Sequence, residues 1–343
     1  MIVSLAGLSL SELEKILNPL PRFRAKQIYN WIIRGASDFS QLTDIPASLR
    51  EELKSRFCFY SSSVTDCHDD KDTKKILLTL KDASKIEAVL LNDGKNRFTA
   101  CLSTQAGCPV KCVFCKTGSL GFKRNLDHPE IVEQFLFLRN MTENKSIDNI
   151  VVMGMGEPLL NLEQLRPALL FFTDRNGMNF SRRRITISTC GICEGLLDLV
   201  KNGPYVRLAL SLATADEALR QKLIPAARTN PLKKIKESLA VYQQKSGSRL
   251  TLEIPLLQGI NTRDKDAQLI ADFAKGLDTV INIIPWNPVA GLEFENQELK
   301  EPDKKETGQF IQKLETLGLK VTTRYRKGQK VAGACGQLGT RYT

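Results

Sequence analysis

Between Gly94 and residue 317 the chain repeats one pattern, a short apolar run followed by a longer stretch with helical periodicity. The apolar runs fall at residues 98–102, 149–153, 184–189, 206–212, 250–257 and 280–285. The helical stretches lie near residues 129–139, 162–175, 196–201, 232–244, 265–275 and 303–317. Strands joined through helices run side by side in one direction, because each crossover returns the chain to the same end of the sheet. The expected fold class is therefore α/β, with a parallel sheet that is either open or curled into a partial barrel.

The flanks read differently. Ser9-Leu10-Ser11-Glu12 has the spacing of a capping box, and helical patterns follow near residues 25–33 and 46–57. Two apolar strands are expected at residues 75–80 and 86–91, joined through Lys81-Asp82-Ala83-Ser84. Residues 1–95 thus form a small helical module with short strands, and residues 96–319 form the α/β core. The last stretch, 320–343, carries Lys320, Arg324, Arg326, Lys327, Lys330 and Arg341 without an acid, and glycines at 328, 333, 336 and 339. It is expected to be a flexible basic tail. The net charge of +11 suggests a polyanionic partner, with nucleic acid the leading candidate. No apolar run is long enough to span a bilayer, and the first residues lack the basic leader of a secretory signal. A cytoplasmic protein with no membrane partner is expected.

The chain has nine cysteines, an odd number that argues against a disulfide framework and for metal ligation or thiol chemistry. Cys108-Pro-Val-Lys-Cys112-Val-Phe-Cys115 follows the first strand of the alternation. Three thiolates on one short loop can hold three irons of a cubane cluster, and the fourth iron is then open to a substrate or cofactor. The competing reading is a structural zinc in an RNA-binding protein. Zinc wants a fourth ligand, and neither His68, far off in sequence, nor His128, between Asp127 and Pro129, is well placed to supply it.

C-x3-C-x2-C with an aromatic residue before the last cysteine resembles the radical S-adenosylmethionine (SAM) superfamily. Met153-Gly154-Met155-Gly156-Glu157-Pro158 looks like that superfamily's SAM-contacting glycine-rich turn. The resemblance narrows further. Cys101-Leu-Ser-Thr-Gln-Ala-Gly-Cys108, Gly118-Ser-Leu-Gly121-Phe122-Lys-Arg124-Asn125-Leu126, Ile284-Pro285-Trp286-Asn287-Pro288 and Ala334-Cys335-Gly336-Gln337-Leu338 resemble the RlmN/Cfr family of rRNA adenine methyltransferases. Phe23-Arg24-Ala25-Lys26-Gln27-Ile28-Tyr29 in the helical module does too, so the similarity spans nearly the whole chain.

The resemblance implies a partial (β/α)6 radical SAM barrel with a [4Fe-4S] cluster on Cys108, Cys112 and Cys115, and two SAM molecules per turnover. It implies methylation of C2 of adenosine 2503 in 23S rRNA and of adenosine 37 in some tRNAs, with C8 methylation of the same rRNA adenosine as the alternative. An electron donor such as flavodoxin or ferredoxin is the further partner. The adenine carbons are electron-poor, so a direct polar methyl transfer is unfavourable. In the family the methyl is first placed on a cysteine, a SAM-derived 5′-deoxyadenosyl radical activates it, and a second thiol resolves the enzyme–RNA adduct through a transient disulfide. By resemblance Cys335 is the methyl carrier and Cys101 the resolving thiol. Small neighbours and basic surroundings independently favour a reactive Cys335 thiolate, whereas Cys101 lies on an expected strand where it can simply pack inward.

Further positions come over as SAM contacts: Gly156, Glu157, Ser188, Ser211, Leu212, Ala213 and Asn287. Ala213 departs from the family, in which many members carry histidine. Glu87 aligns with a glutamate assigned as proton acceptor; read from the residues alone it is an exposed strand carboxylate. Cys58, Cys67, Cys190 and Cys193 match no family motif and are expected to be structural, with a weaker metal reading for the Cys190–Cys193 pair.

Overall fold

The computed structural model describes residues 3–94, 97–142, 145–323 and 327–339. A ten-stranded sheet organises it. Its strands are β1 (Ser63–Asp70), β2 (Thr73–Thr79), β3 (Lys85–Asn92), β4 (Phe98–Cys101), β5 (Ile147–Val152), β6 (Ile185–Thr189), β7 (Arg207–Ser211), β8 (Leu250–Leu256), β9 (Thr279–Pro285) and β10 (Val321–Thr323). They lie side by side in sequence order. From β4 to β10 every pairing is parallel. From β1 to β4 every pairing is antiparallel.

The six expected strands appear as β4 to β9, each within a few residues of its expected place. They read as apolar runs because both faces are covered. Ile150, Ile185, Ile187, Leu252, Ile254, Ile281 and Ile283 are all fully buried. The sheet is curled. Cys101 at the end of β4 and Ile284 in β9 line one cavity, although five strand spacings in a flat sheet amount to about 24 Å. β1 and β10 remain its edges, so among the described residues the barrel is not closed.

The N-terminal module contains α1 (Leu10–Ile16), α2 (Arg22–Arg34) and α3 (Ala47–Arg56). Ser9 and Glu12 form the expected reciprocal cap of α1. The module is stapled to α4 (His128–Asn140) of the core by Glu133, which is fully buried. Its carboxylate accepts hydrogen bonds from Ser4 Oγ (2.8 Å), Ser61 N (2.7 Å), Ser62 N (2.9 Å) and Ser62 Oγ (2.5 Å), and from Ser61 Oγ.

Two features differ from expectation. β1 has no counterpart among the expected strands: its first five residues are all exposed, so it shows no apolar alternation, and its hydrogen bonds to β2 alone define it. The supposed tail is largely built into the fold. Its start forms β10 on β9, and in the 327–339 stretch Val331, Ala334 and Leu338 are buried. Arg324, Arg326, Arg341 and the expected boundary at residues 95 and 96 lie outside the described residues.

Candidate active site

The parallel strands place their C-terminal ends at one mouth, where α/β barrels assemble their chemistry. A cleft of about 170 Å³ is lined there by Cys108, Cys112, Cys115, Gly156, Glu157, Ser188, Ser211, Asn287 and Cys335. Nine of the thirteen residues singled out from sequence thus meet in one space. Strand alternation turns Ser188 and Ser211 away from the covering helices, and their hydroxyl oxygens lie 3.2 Å apart.

The cysteine loop leaves β4 through a short antiparallel pair, Gln105–Gly107 with Phe122–Asn125. The chains approach so closely that a Cβ at Gly107, where φ is +78°, would lie 1.9 Å from Gly121 O. Beyond it Cys108 N donates to Gly121 O (2.8 Å), and Trp286 Nε1 donates to Phe114 O (2.9 Å), tying the loop to the end of β9. Burial pushes the Cys108 thiol up to about 12 and raises Cys112 and Cys115, with mutual repulsion of the thiolates adding to the shift at Cys112. Three crowded, desolvated sulfurs are costly as bare thiolates, and a cationic iron–sulfur core removes that cost. Among the described residues no three Cys, His, Asp or Glu side chains converge as one metal ion requires. A cubane asks for a different arrangement, one thiolate on each of three irons. The donor set therefore fits a cluster.

Glu157 is buried, and burial raises its carboxyl above the ordinary range. Its oxygens accept from Leu159 N (3.1 Å) and Cys190 N (2.8 Å), which fixes it between the glycine turn and the end of β6. Gly156, at φ +103°, packs on Gln105, whose Oε1 accepts from Glu157 N (2.8 Å).

Cys335 stands at the junction of two cavities. It lines the cleft beside the three loop cysteines, and it also lines a neighbouring cavity with Cys101, Met153 and Asn287. Asn287 Nδ2 donates to Cys335 O (3.0 Å), while its Oδ1 accepts from Gln329 Nε2 (3.0 Å). Lys116 N donates to Gly336 O (2.8 Å) and Thr117 Oγ1 to Leu338 O (2.9 Å). No disulfide links any of the nine cysteines.

Leu212, Ala213 and Glu87 do not line either cavity. Leu212 and Ala213 are fully buried just beyond Ser211, and Ala213 adopts φ +59° with its carbonyl accepting from Asn261 Nδ2 (2.8 Å). Glu87 is 2 % exposed, buried rather than exposed on its strand, and is paired with Lys75. Cys190, which matches no motif and was expected to be structural, stands in the cleft wall beside Glu157 and Cys112. Sequence reasoning passed over Arg220, fully buried with Nε donating to Leu212 O (3.2 Å) and Nη2 to Cys190 O. Arg220 holds the ends of β6 and β7 behind the cysteine loop, and Val113 N donates to Leu223 O (3.0 Å) from that loop to the same short helix. Among the described residues no helix is long and apolar enough to cross a membrane.

Two family models match the chain: the radical SAM superfamily over residues 102–271, and the ribosomal RNA large subunit methyltransferase N-terminal domain over residues 3–59. A probable dual-specificity RNA methyltransferase RlmN of Treponema denticola is 47 % identical over 98 % of this chain and 95 % of that protein. One of Chlorobium phaeobacteroides is 38 % identical over 98 % of this chain and 95 % of that protein. The crystal structure of a radical SAM methyltransferase from Sphaerobacter thermophilus matches with a TM-score of 0.93 and 34 % identity, covering 99 % of this chain and all of the other.

Proposed function

The chain belongs to the RlmN family of radical SAM RNA methyltransferases, and from that premise we propose that it methylates C2 of adenosine 2503 in 23S rRNA and C2 of adenosine 37 in tRNAs. The family works with a [4Fe-4S] cluster and SAM, which leaves no role for a structural zinc at these cysteines. The observation that carries the reading is the place of Cys335, which shares one cavity with the cluster cysteines and another with Cys101.

Cys108, Cys112 and Cys115 hold the cluster, which when bound supplies the electron that makes SAM a radical source. Gly156, Glu157, Ser188, Ser211 and Asn287 line the same cleft and bind SAM. Leu212 and Ala213 support that wall from behind through their backbone. The Cys335 thiolate attacks the methyl of a first SAM; a sulfur–carbon bond forms while the sulfonium bond breaks and its electron pair leaves with the thioether. Once a second SAM had been turned into a hydrogen-abstracting radical, the methylene on Cys335 would add to adenine C2, whose hydrogen would leave as a proton and whose surplus electron would pass to the oxidised cluster. Cys101 then attacks the Cys335 sulfur. The two sulfurs form a disulfide, and the carbon leaves with the electron pair and is protonated as the new methyl. A donor such as flavodoxin or ferredoxin supplies the electrons that reopen the disulfide.

The decisive experiment is mass spectrometry of the modified rRNA and tRNA fragments. A methyl on C2 supports the proposal. A methyl on C8 assigns the chain to the other regiochemistry of the family, and unmodified RNA in the presence of active cluster and SAM overturns it.

A further inference from the structure

One buried ion pair has no part in the chemistry above. Lys75 Nζ and Glu87 Oε1 are 2.6 Å apart, with side chains 1 % and 2 % exposed. The pair sits on adjacent strands, where Lys75 faces Val89 and Glu87 faces Leu77. Ser103 Oγ donates to Glu87 O (2.6 Å) and holds that strand in place.

The remaining bonds of the pair go to the segment that carries Cys335. Lys75 Nζ donates to Ala332 O (3.4 Å), and Glu87 Oε2 accepts from Gly339 N (2.6 Å). The two contacts therefore bracket Cys335, one on either side of it in sequence. A buried ion pair recovers its desolvation cost only when its other oxygens and protons are also satisfied. Withdrawing the loop would leave Glu87 Oε2 without its donor, so the charge favours the docked loop.

We propose that Lys75 and Glu87 act together as a clamp that holds the Cys335 loop at both ends across the barrel mouth. The role is one of positioning, and it rests on the reading of Cys335 as methyl carrier. Between the anchors lie Gly333 and Gly336, the latter at φ +83°. Cys335 can thus turn from the cluster-side cleft to Cys101 while the ends of its loop stay fixed.

The test is hydrogen exchange on the full-length, cluster-reconstituted enzyme. It compares native protein with Glu87→Gln and with the charge-neutral double variant Lys75→Met, Glu87→Leu. The double variant removes the clamp without leaving an unpaired buried charge, and retained iron–sulfur absorbance shows that the core is folded. Loss of one charge-assisted hydrogen bond corresponds to about tenfold faster exchange in the peptide spanning residues 332–339. Protection of β2 and β3 should stay as in the native protein. The fraction of Cys335 that carries a methyl after incubation with SAM should fall with it. Unchanged exchange at 332–339, or equal loosening of the whole sheet, overturns the clamp. So does a Glu87→Gln enzyme that keeps tail protection and loads Cys335 normally but stalls after joining RNA, because that is the behaviour of a missing proton acceptor. Since exchange reads the loop directly, the clamp can fail while the methyl-carrier role stands, and the reverse.

Discussion

Replacing Gly156 by alanine should disable the turn proposed to bind SAM. A Cβ at this position would lie 2.6 Å from Gln105 Cβ and 2.8 Å from Gln105 N, at φ +103°. Gln105 cannot retreat: its N donates to Met155 O (3.1 Å), its Oε1 accepts from Glu157 N (2.8 Å) and its Nε2 donates to Asn125 Oδ1 (2.9 Å). The turn itself must move, by about 0.8 Å to reach an ordinary carbon contact. Left-handed backbone at a residue with a Cβ adds about 1–2 kcal/mol of strain. A displacement near 1 Å of groups that position a reactant costs about 10²-fold in rate. 5′-Deoxyadenosine formation from SAM should therefore fall by about 10²-fold, with a raised KM for SAM, in an enzyme that still carries its cluster absorbance. Gly276→Ala is the control. It has a positive φ of +83° but nothing within 4 Å of the added carbon, so it carries backbone strain without crowding. If Gly156→Ala reacts with SAM within threefold of native, or Gly276→Ala is equally impaired, the steric reasoning is wrong.

The order of the two thiol steps gives a second prediction. Cys101→Ala should accumulate a covalent enzyme–RNA band that survives denaturation and disappears with nuclease, whereas Cys335→Ala should form none; the opposite pattern on a gel reverses their roles. Replacing Cys108, Cys112 or Cys115 with alanine should abolish the iron–sulfur absorbance and all SAM cleavage, and any variant that retains both is not missing a ligand. At the joint between module and core, Glu133→Ala strands the donors of buried Ser62 and half-buried Ser61 together and should cost about 1–3 kcal/mol for each buried donor left unpaired. Glu133→Gln keeps some of those acceptors and should cost about 1–2 kcal/mol. Urea midpoints that do not separate the two variants would show that the carboxylate is not what fastens the module.

Much of the fold was legible because local spacing encodes it. An apolar run marks a strand buried on both faces and a 3.6-residue period marks its crossover helix, so β4 to β9 were found within a few residues. The Ser9–Glu12 cap was legible for the same reason. So was the cysteine loop, because its three thiols are neighbours in sequence and short loops cannot separate them. β1 escaped because an exposed edge strand carries no apolar signal.

The rest of the site depends on contacts between residues far apart in the chain. Cys335 meets the cluster loop and Cys101 only because the sheet curls and the end of the chain folds back across its mouth. Glu87 read as an exposed strand carboxylate, since nothing nearby in sequence reveals that Lys75 and Gly339 N will enclose it. Arg220 and Glu133 were equally silent, for their partners are backbone groups and serines that could stand anywhere. The sequence by itself determined the alternating strands and helices of the core, where the candidate thiols lie along the chain and which family pattern they match. Only the tertiary structure decided which of those thiols share a cavity and which carboxylate accepts a hydrogen bond from the segment that carries Cys335. Periodicity reports how each residue relates to its own segment, whereas burial and ion pairing are set by whichever distant segment packs against it.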